Sequence, residues 1–126
     1  MEFVTQNEVT VLALRDKGYT YKQIGEEIGR SPERARTIHI QARKKARFIL
    51  EVKKNWQLLF REVDKNGLRY VDLRKMVTGL KSYGVTDIRD ERLSDQTFVE
   101  SIAGFGPLYT SMVMQAHKNY LLRKPR

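Results

Sequence analysis

The sequence contains no cysteine, so neither a disulfide framework nor a thiolate-bound metal can organise it. Its two histidines, His39 and His117, lie too far apart to read as a ligand pair, and no metal or other cofactor is expected. Long apolar runs are missing as well. None approaches the roughly 20 residues needed to cross a bilayer, and the chain, opening with Glu2, lacks the basic-then-apolar plan of a secretion signal. These absences predict a cytoplasmic protein with no membrane partner. Acidic residues are in deficit: 15 Asp and Glu face 24 Lys and Arg, a formal charge of +9 that favours polyanionic partners, nucleic acid first. No convergent nucleophile, acid–base pair or metal cluster is visible. Gly104-Phe105-Gly106 lacks both the following Lys and the preceding strand of a nucleotide-phosphate loop. No catalytic residue is assigned, and the expectation is a protein that is not an enzyme.

What is present is helical patterning over 126 residues, enough for one compact domain or two very small helical units. Thr5 with Glu8 makes a capping box, Val9, Leu12 and Ala13 recur at helical spacing, and Gly18 closes the segment as a left-handed cap. Thr20 with Gln23 repeats the start signal, Ile24 and Ile28 form an apolar stripe, and Gly29 ends a helix of about two turns. Ser31 then caps a third helix with Pro32 at its first position, where the missing N–H costs nothing. Ala35, Ile38, Ala42, Ala46 and Ile49 mark its buried face.

No Gly or Pro interrupts residues 33–66, and Ile49, Val52, Trp56, Leu59 and Val63 follow a heptad rhythm. A long linking helix is predicted, its stripe packing on the chain's own C-terminal half in preference to a dimer seam, with a homodimer left open. Leu73, Met76, Val77 and Leu80 outline a further helix ending at Gly84, and Ser94 is read as an N-cap. Phe98, Val99 and Ile102 precede the turn from Ala103 to Pro107, and Met112, Val113, Ala116, Tyr120 and Leu121 follow it. The tail from Arg123 is basic. The predicted architecture is all-α: a helix-turn-helix over 1–48, a linking helix over 49–66, and a helical hairpin unit over 67–126.

A short helix, a glycine-bearing turn and a longer basic helix are the plan of a helix-turn-helix, whose recognition helix sets its N-terminal side chains in the major groove of duplex DNA. Between Arg30 and Arg47 seven cations face the single anion Glu33. With Ala35, Ile38 and Ala42 inward, Glu33, Arg34, Arg36 and Thr37 fall outward. Arg pairs bidentately with guanine and Glu accepts from cytosine, so Glu33, Arg36 and Thr37 are assigned to bases. Ser31, Arg34, Arg43, Lys44, Lys45 and Arg47 are assigned to phosphates. The competing reading is a solvated basic helix face. Tyr19, Tyr21 and His39 read as packing or surface residues.

The run from Gly18 to Ile38, with its core Ser31-x-Glu33-Arg34-x-Arg36-x-Ile38, the following Ala42-Arg43-Lys44-Lys45-Ala46-Arg47 and the preceding Val11-Leu12-Ala13-Leu14-Arg15, resembles region 4 of bacterial sigma factors over residues 5–48. That part of the sigma factor reads the promoter's upstream element. The resemblance implies that Glu33 reads bases, Arg34 binds phosphate and Arg36 lies at the groove. It departs at Pro32, where the family usually carries a base-reading Arg, and at Thr37, where it usually carries Gln. The rest of a sigma factor has no counterpart here.

Ile102-Ala103-Gly104-Phe105-Gly106 looks like the turn of a helix-hairpin-helix, in which glycines let a backbone approach and leave N–H groups free for a phosphate. Gly104, Phe105 and Gly106 are therefore a candidate second phosphate site. With Leu80-Lys81-Ser82-Tyr83-Gly84-Val85-Thr86-Asp87-Ile88 the stretch 68–122 resembles the C-terminal domain of the RNA polymerase alpha subunit, although Leu108 and Tyr109 stand where such hairpins often carry Lys or Arg. A purely structural turn is the alternative. The function expected first is a DNA-binding transcription regulator of phage or prophage type that also touches RNA polymerase. A phage DNA-packaging or replication accessory and a polymerase-capturing interaction module are the other readings.

Overall fold

The structure, a computed structural model, describes residues 4–123. Among them are seven α-helices, one 3-10 turn and no strand, so the chain is all-α as its periodicity predicts. Among the described residues one compact unit runs through Leu50 and a second runs from Glu51 to Arg123. The basic tail beyond Arg123 lies outside the described residues.

In the first unit, α1 (Gln6–Asp16) and α2 (Tyr21–Ile28) both start at the predicted capping boxes. The Thr5 hydroxyl accepts from the Glu8 N–H at 3.2 Å while the Glu8 carboxylate accepts from the Thr5 N–H at 2.9 Å. Thr20 and Gln23 repeat the exchange. Each helix is followed by a glycine in the left-handed region, Gly18 at φ 89° and Gly29 at φ 69°. A helix of 8 residues does not persist alone; α2 is held because Ile24 is wholly buried, worth about 1.5–3 kcal/mol. Ile24 packs with Val11, Ala35 and Ile38, and Leu14, Tyr21 and Ile28 close round them.

The face of α1 differs from the expectation. Val9 is 45% exposed and Ala13 is exposed, whereas Glu8 and Val11 are buried and Leu14 packs on the core. The reason is electrostatic: Lys45 of α3 (Pro32–Asn55) donates to Glu8 at 2.8 Å. A satisfied carboxylate therefore occupies the inner stripe where an apolar pattern anticipates Val9.

In the second unit the predicted continuous helix through residue 66 is interrupted. The third helix ends at Asn55, and α4 (Gln57–Lys65) begins after Trp56, whose φ of −130° and ψ of 20° leave the helical region. The Asn55 carbonyl accepts from the Ile88 N–H at 3.0 Å, a long-range bond that stands in place of the next helical one. Val52, Trp56, Leu59 and Val63 are wholly or almost wholly buried within this chain, so the stripe is a core and not a free dimer seam. Helix α4 packs on α7 (Pro107–Arg123) and on α5 (Tyr70–Ser82). Leu73, Met76, Val77 and Leu80 supply the inner face of α5. The 3-10 turn Glu91–Ser94 and α6 (Gln96–Glu100) follow. Asp95, not Ser94, caps α6: its carboxylate accepts from Thr97 and Phe98, because Ser94 is held in the 3-10 turn, donating to the Glu91 carbonyl.

Candidate nucleic-acid interface

The geometry of the first unit starts at Gly25. A Cβ there would stand 2.5 Å from the Arg30 carbonyl oxygen, so only glycine lets α2 approach the following turn so closely. The Arg30 N–H returns to the Gly25 carbonyl at 2.8 Å. Ser31 then caps α3, its hydroxyl accepting from the Arg34 N–H at 3.1 Å, and Pro32 opens the helix. Ala35, Ile38 and Ala42 face inward.

All nine side chains assigned to DNA lie on or next to this helix. Ser31, Glu33, Arg34, Arg36, Thr37, Arg43, Lys44 and Arg47 are exposed, and Lys45 is half-buried. Glu33, Arg36, Thr37, Lys44 and Arg47 recur at spacings of 3, 1, 7 and 3, which places them along one outer stripe of the helix. The Thr37 hydroxyl donates back to the Glu33 carbonyl at 3.1 Å, leaving its methyl and its acceptor lone pairs outward. Among the described residues no carboxylate lies within ion-pair distance of Arg34, Arg36, Arg43, Lys44 or Arg47. Lys45 differs from its neighbours. Its ammonium is spent on Glu8, where burial raises the carboxyl pKa but the Lys45 and Thr5 hydrogen bonds and the Lys45 charge bring it below the ordinary value.

Two features were not read from the sequence. Ile40, 37% exposed, stands one turn beyond Thr37 on the outer stripe; an apolar residue off the buried periodicity was its only signal. His39 accepts from or donates to the Tyr21 hydroxyl through Nδ1 at 2.9 Å, while the Arg15 guanidinium covers the Tyr21 ring at 4.3 Å. Burial, reinforced by Arg43 and Arg15, holds the His39 pKa below its ordinary value. This cluster links α1, α2 and α3 and fixes the orientation of the outer stripe.

Gly104, Phe105 and Gly106 belong to the second unit. Gly104 has φ 84°, and the Phe105 ring turns onto α5, so near Gly79 that an added Cβ would meet it at 2.8 Å. Gly104 and Gly106 stay exposed and line a cavity of about 300 Å3 with Lys75. Beside it the Tyr109 hydroxyl donates to Asp72 at 2.6 Å. Burial and that contact push the Tyr109 pKa up to about 12.

Residues 2–47 match the family model of sigma-70, region 4. The match spans about a third of the chain and ends within α3, so this segment is a sigma-region-4-like helix-turn-helix, of a DNA-binding regulatory kind that is not an enzyme family. No curated protein and no solved structure matches the chain. No described helix is long and apolar enough to cross a membrane.

Proposed function

We propose, from a sigma-region-4-like unit whose basic outer stripe makes no ion pair among the described residues, that the protein is a non-enzymatic, cytoplasmic transcription regulator that reads duplex DNA with α3. The carrying observation is the set Glu33, Arg36 and Thr37 on one exposed stripe with Arg34, Arg43, Lys44 and Arg47 around it. Arg36 reads guanine, Glu33 accepts from cytosine, and Thr37 and Ile40 bring apolar surface to a thymine methyl. Ser31, Arg34, Arg43, Lys44 and Arg47 hold phosphates. Lys45 leaves that set, because its ion pair with Glu8 serves the fold. The loop Gly104–Gly106 with Lys75 offers a second phosphate site. RNA polymerase is a partner of this reading, in keeping with the region-4 likeness, and a phage or prophage regulator is the type it names.

Selection of the purified chain on a randomised duplex pool, with retained DNA sequenced, tests it. A short enriched motif that an Arg34→Ala/Arg36→Ala variant loses is the expected result. Retention without enrichment, falling steeply with salt, would reduce the function to phosphate binding alone.

A further inference from the structure

The second unit carries an open groove of about 550 Å3, walled by α7 on one side and by the 3-10 turn and α6 on the other. Leu93, Met114 and Leu121 give it apolar surface, and Glu100 and Lys118 give it one charge of each sign. Thr110 lines it too. That side chain is 5% exposed, and its hydroxyl has no hydrogen-bond partner among the described residues. Large exposed apolar side chains stand at both ends of α7: Leu108 at 52%, Leu121 at 50% and Leu122 at 75%. Residues 108 and 122 are separated by roughly four turns, so they fall on nearly the same side of the helix.

We propose that α7 of a second copy of this chain fills the groove, antiparallel to the first and related to it by a two-fold axis near Gln115. The pairing seats the Leu108 end of each helix on the Leu121–Leu122 end of the other, the self-complementarity that an isologous contact requires. It also carries Lys118 of each copy along the turn holding Thr110, toward Glu100 of the other. There the ammonium supplies the opposite charge for the carboxylate. The two charges lining one groove are thus matched twice across the axis. The contact is a few helical turns long, at the weak end of specific interfaces, so association lies in the micromolar range and tightens when two copies occupy neighbouring DNA sites.

Sedimentation equilibrium of the full chain across the micromolar range reads the result. The expected outcome is a monomer–dimer equilibrium weakened roughly tenfold by Glu100→Lys or Lys118→Glu, since each replaces two attractive pairs by two repulsive ones. Combining E100K with K118E restores it, and Leu121→Asp abolishes it. All three positions are exposed in the single chain, so the variants keep their monomer melting temperature. Should one unfold, Gln115→Arg, which sets two like charges at the axis, replaces it. A monomer throughout, a dimer indifferent to K118E and L121D, or a double variant as weak as the singles would overturn the proposal. Binding of L121D to a single DNA site by α3 is measured alongside, so that failure of the dimer is distinguished from failure of DNA recognition.

Discussion

Replacing Gly25 by alanine puts a methyl carbon 2.5 Å from the Arg30 carbonyl oxygen and 3.2 Å from the Ser31 backbone. Both neighbours are main chain, so no side-chain rotation relieves the clash and the turn between α2 and α3 has to move. Alanine in place of glycine within a helix favours folding by about 1 kcal/mol. Against this, overpacking at a closed site costs about 1–3 kcal/mol, and displacing Arg30 weakens its 2.8 Å bond to the Gly25 carbonyl, about another 1 kcal/mol. The variant is therefore expected to lose about 1–3 kcal/mol, read as a lower urea midpoint with an unchanged slope. Because the same turn positions Ser31 and the first residues of α3, DNA affinity is expected to fall with stability, even where the variant remains folded. A Gly25→Ala protein as stable as the parent, or more so, would refute the close approach of α2 to the turn and the role given to it here.

Three further perturbations bear on the same unit. Lys45→Met leaves the buried Glu8 carboxylate unpaired and is expected to cost about 1–3 kcal/mol, moderated because a quarter of the Lys45 side chain meets water; Glu8→Gln/Lys45→Met together recovers most of it in denaturant melts. The folded Glu8 pKa lies below 4.5, so its stabilisation is present above that value and disappears as pH falls through the folded pKa, an effect the double variant lacks. His39 has a linkage of the same sign at higher pH: its folded pKa lies below 6.5, so the unfolded chain binds the proton better and stability declines as pH drops below 6.5, a decline that His39→Gln removes in paired melts at neutral and mildly acidic pH. In DNA titrations over salt, Arg43→Ala reduces the slope of log K against log salt by about 1, whereas Lys45→Ala leaves it unchanged; equal slopes for the two variants would return Lys45 to the phosphate set.

The N-terminal architecture was legible because its signals are local. Thr5 with Glu8, Thr20 with Gln23, and the glycines at 18 and 29 each act within a few residues, and each appears where its chemistry predicts. What sequence could not carry were contacts between distant residues. Trp56 leaves the helix in a stretch with no local breaker, and the Asn55 carbonyl is taken by Ile88, thirty-odd positions along. The inner stripe of α1 is set by Glu8 because Lys45 comes to meet it, and an apolar template has no place for a charged pair. The exposed set on α3 followed from the inward positions of Ala35, Ile38 and Ala42, whereas the Tyr21–His39 contact required knowing how α2 lies on α3.

The division at Leu50 falls inside α3 and not in a loop. A fragment ended there would stop in mid-helix, leaving its last carbonyls without their partners four residues on, and fraying would begin only one turn from Arg47. Ending it at Asn55 keeps the helix whole but strands the Ile88 N–H in the other piece, since that amide relies on the Asn55 carbonyl. The two units can thus be told apart by their cores yet not excised cleanly, and transplanting the DNA-reading half into another protein requires a new acceptor at the cut as well as a new terminus.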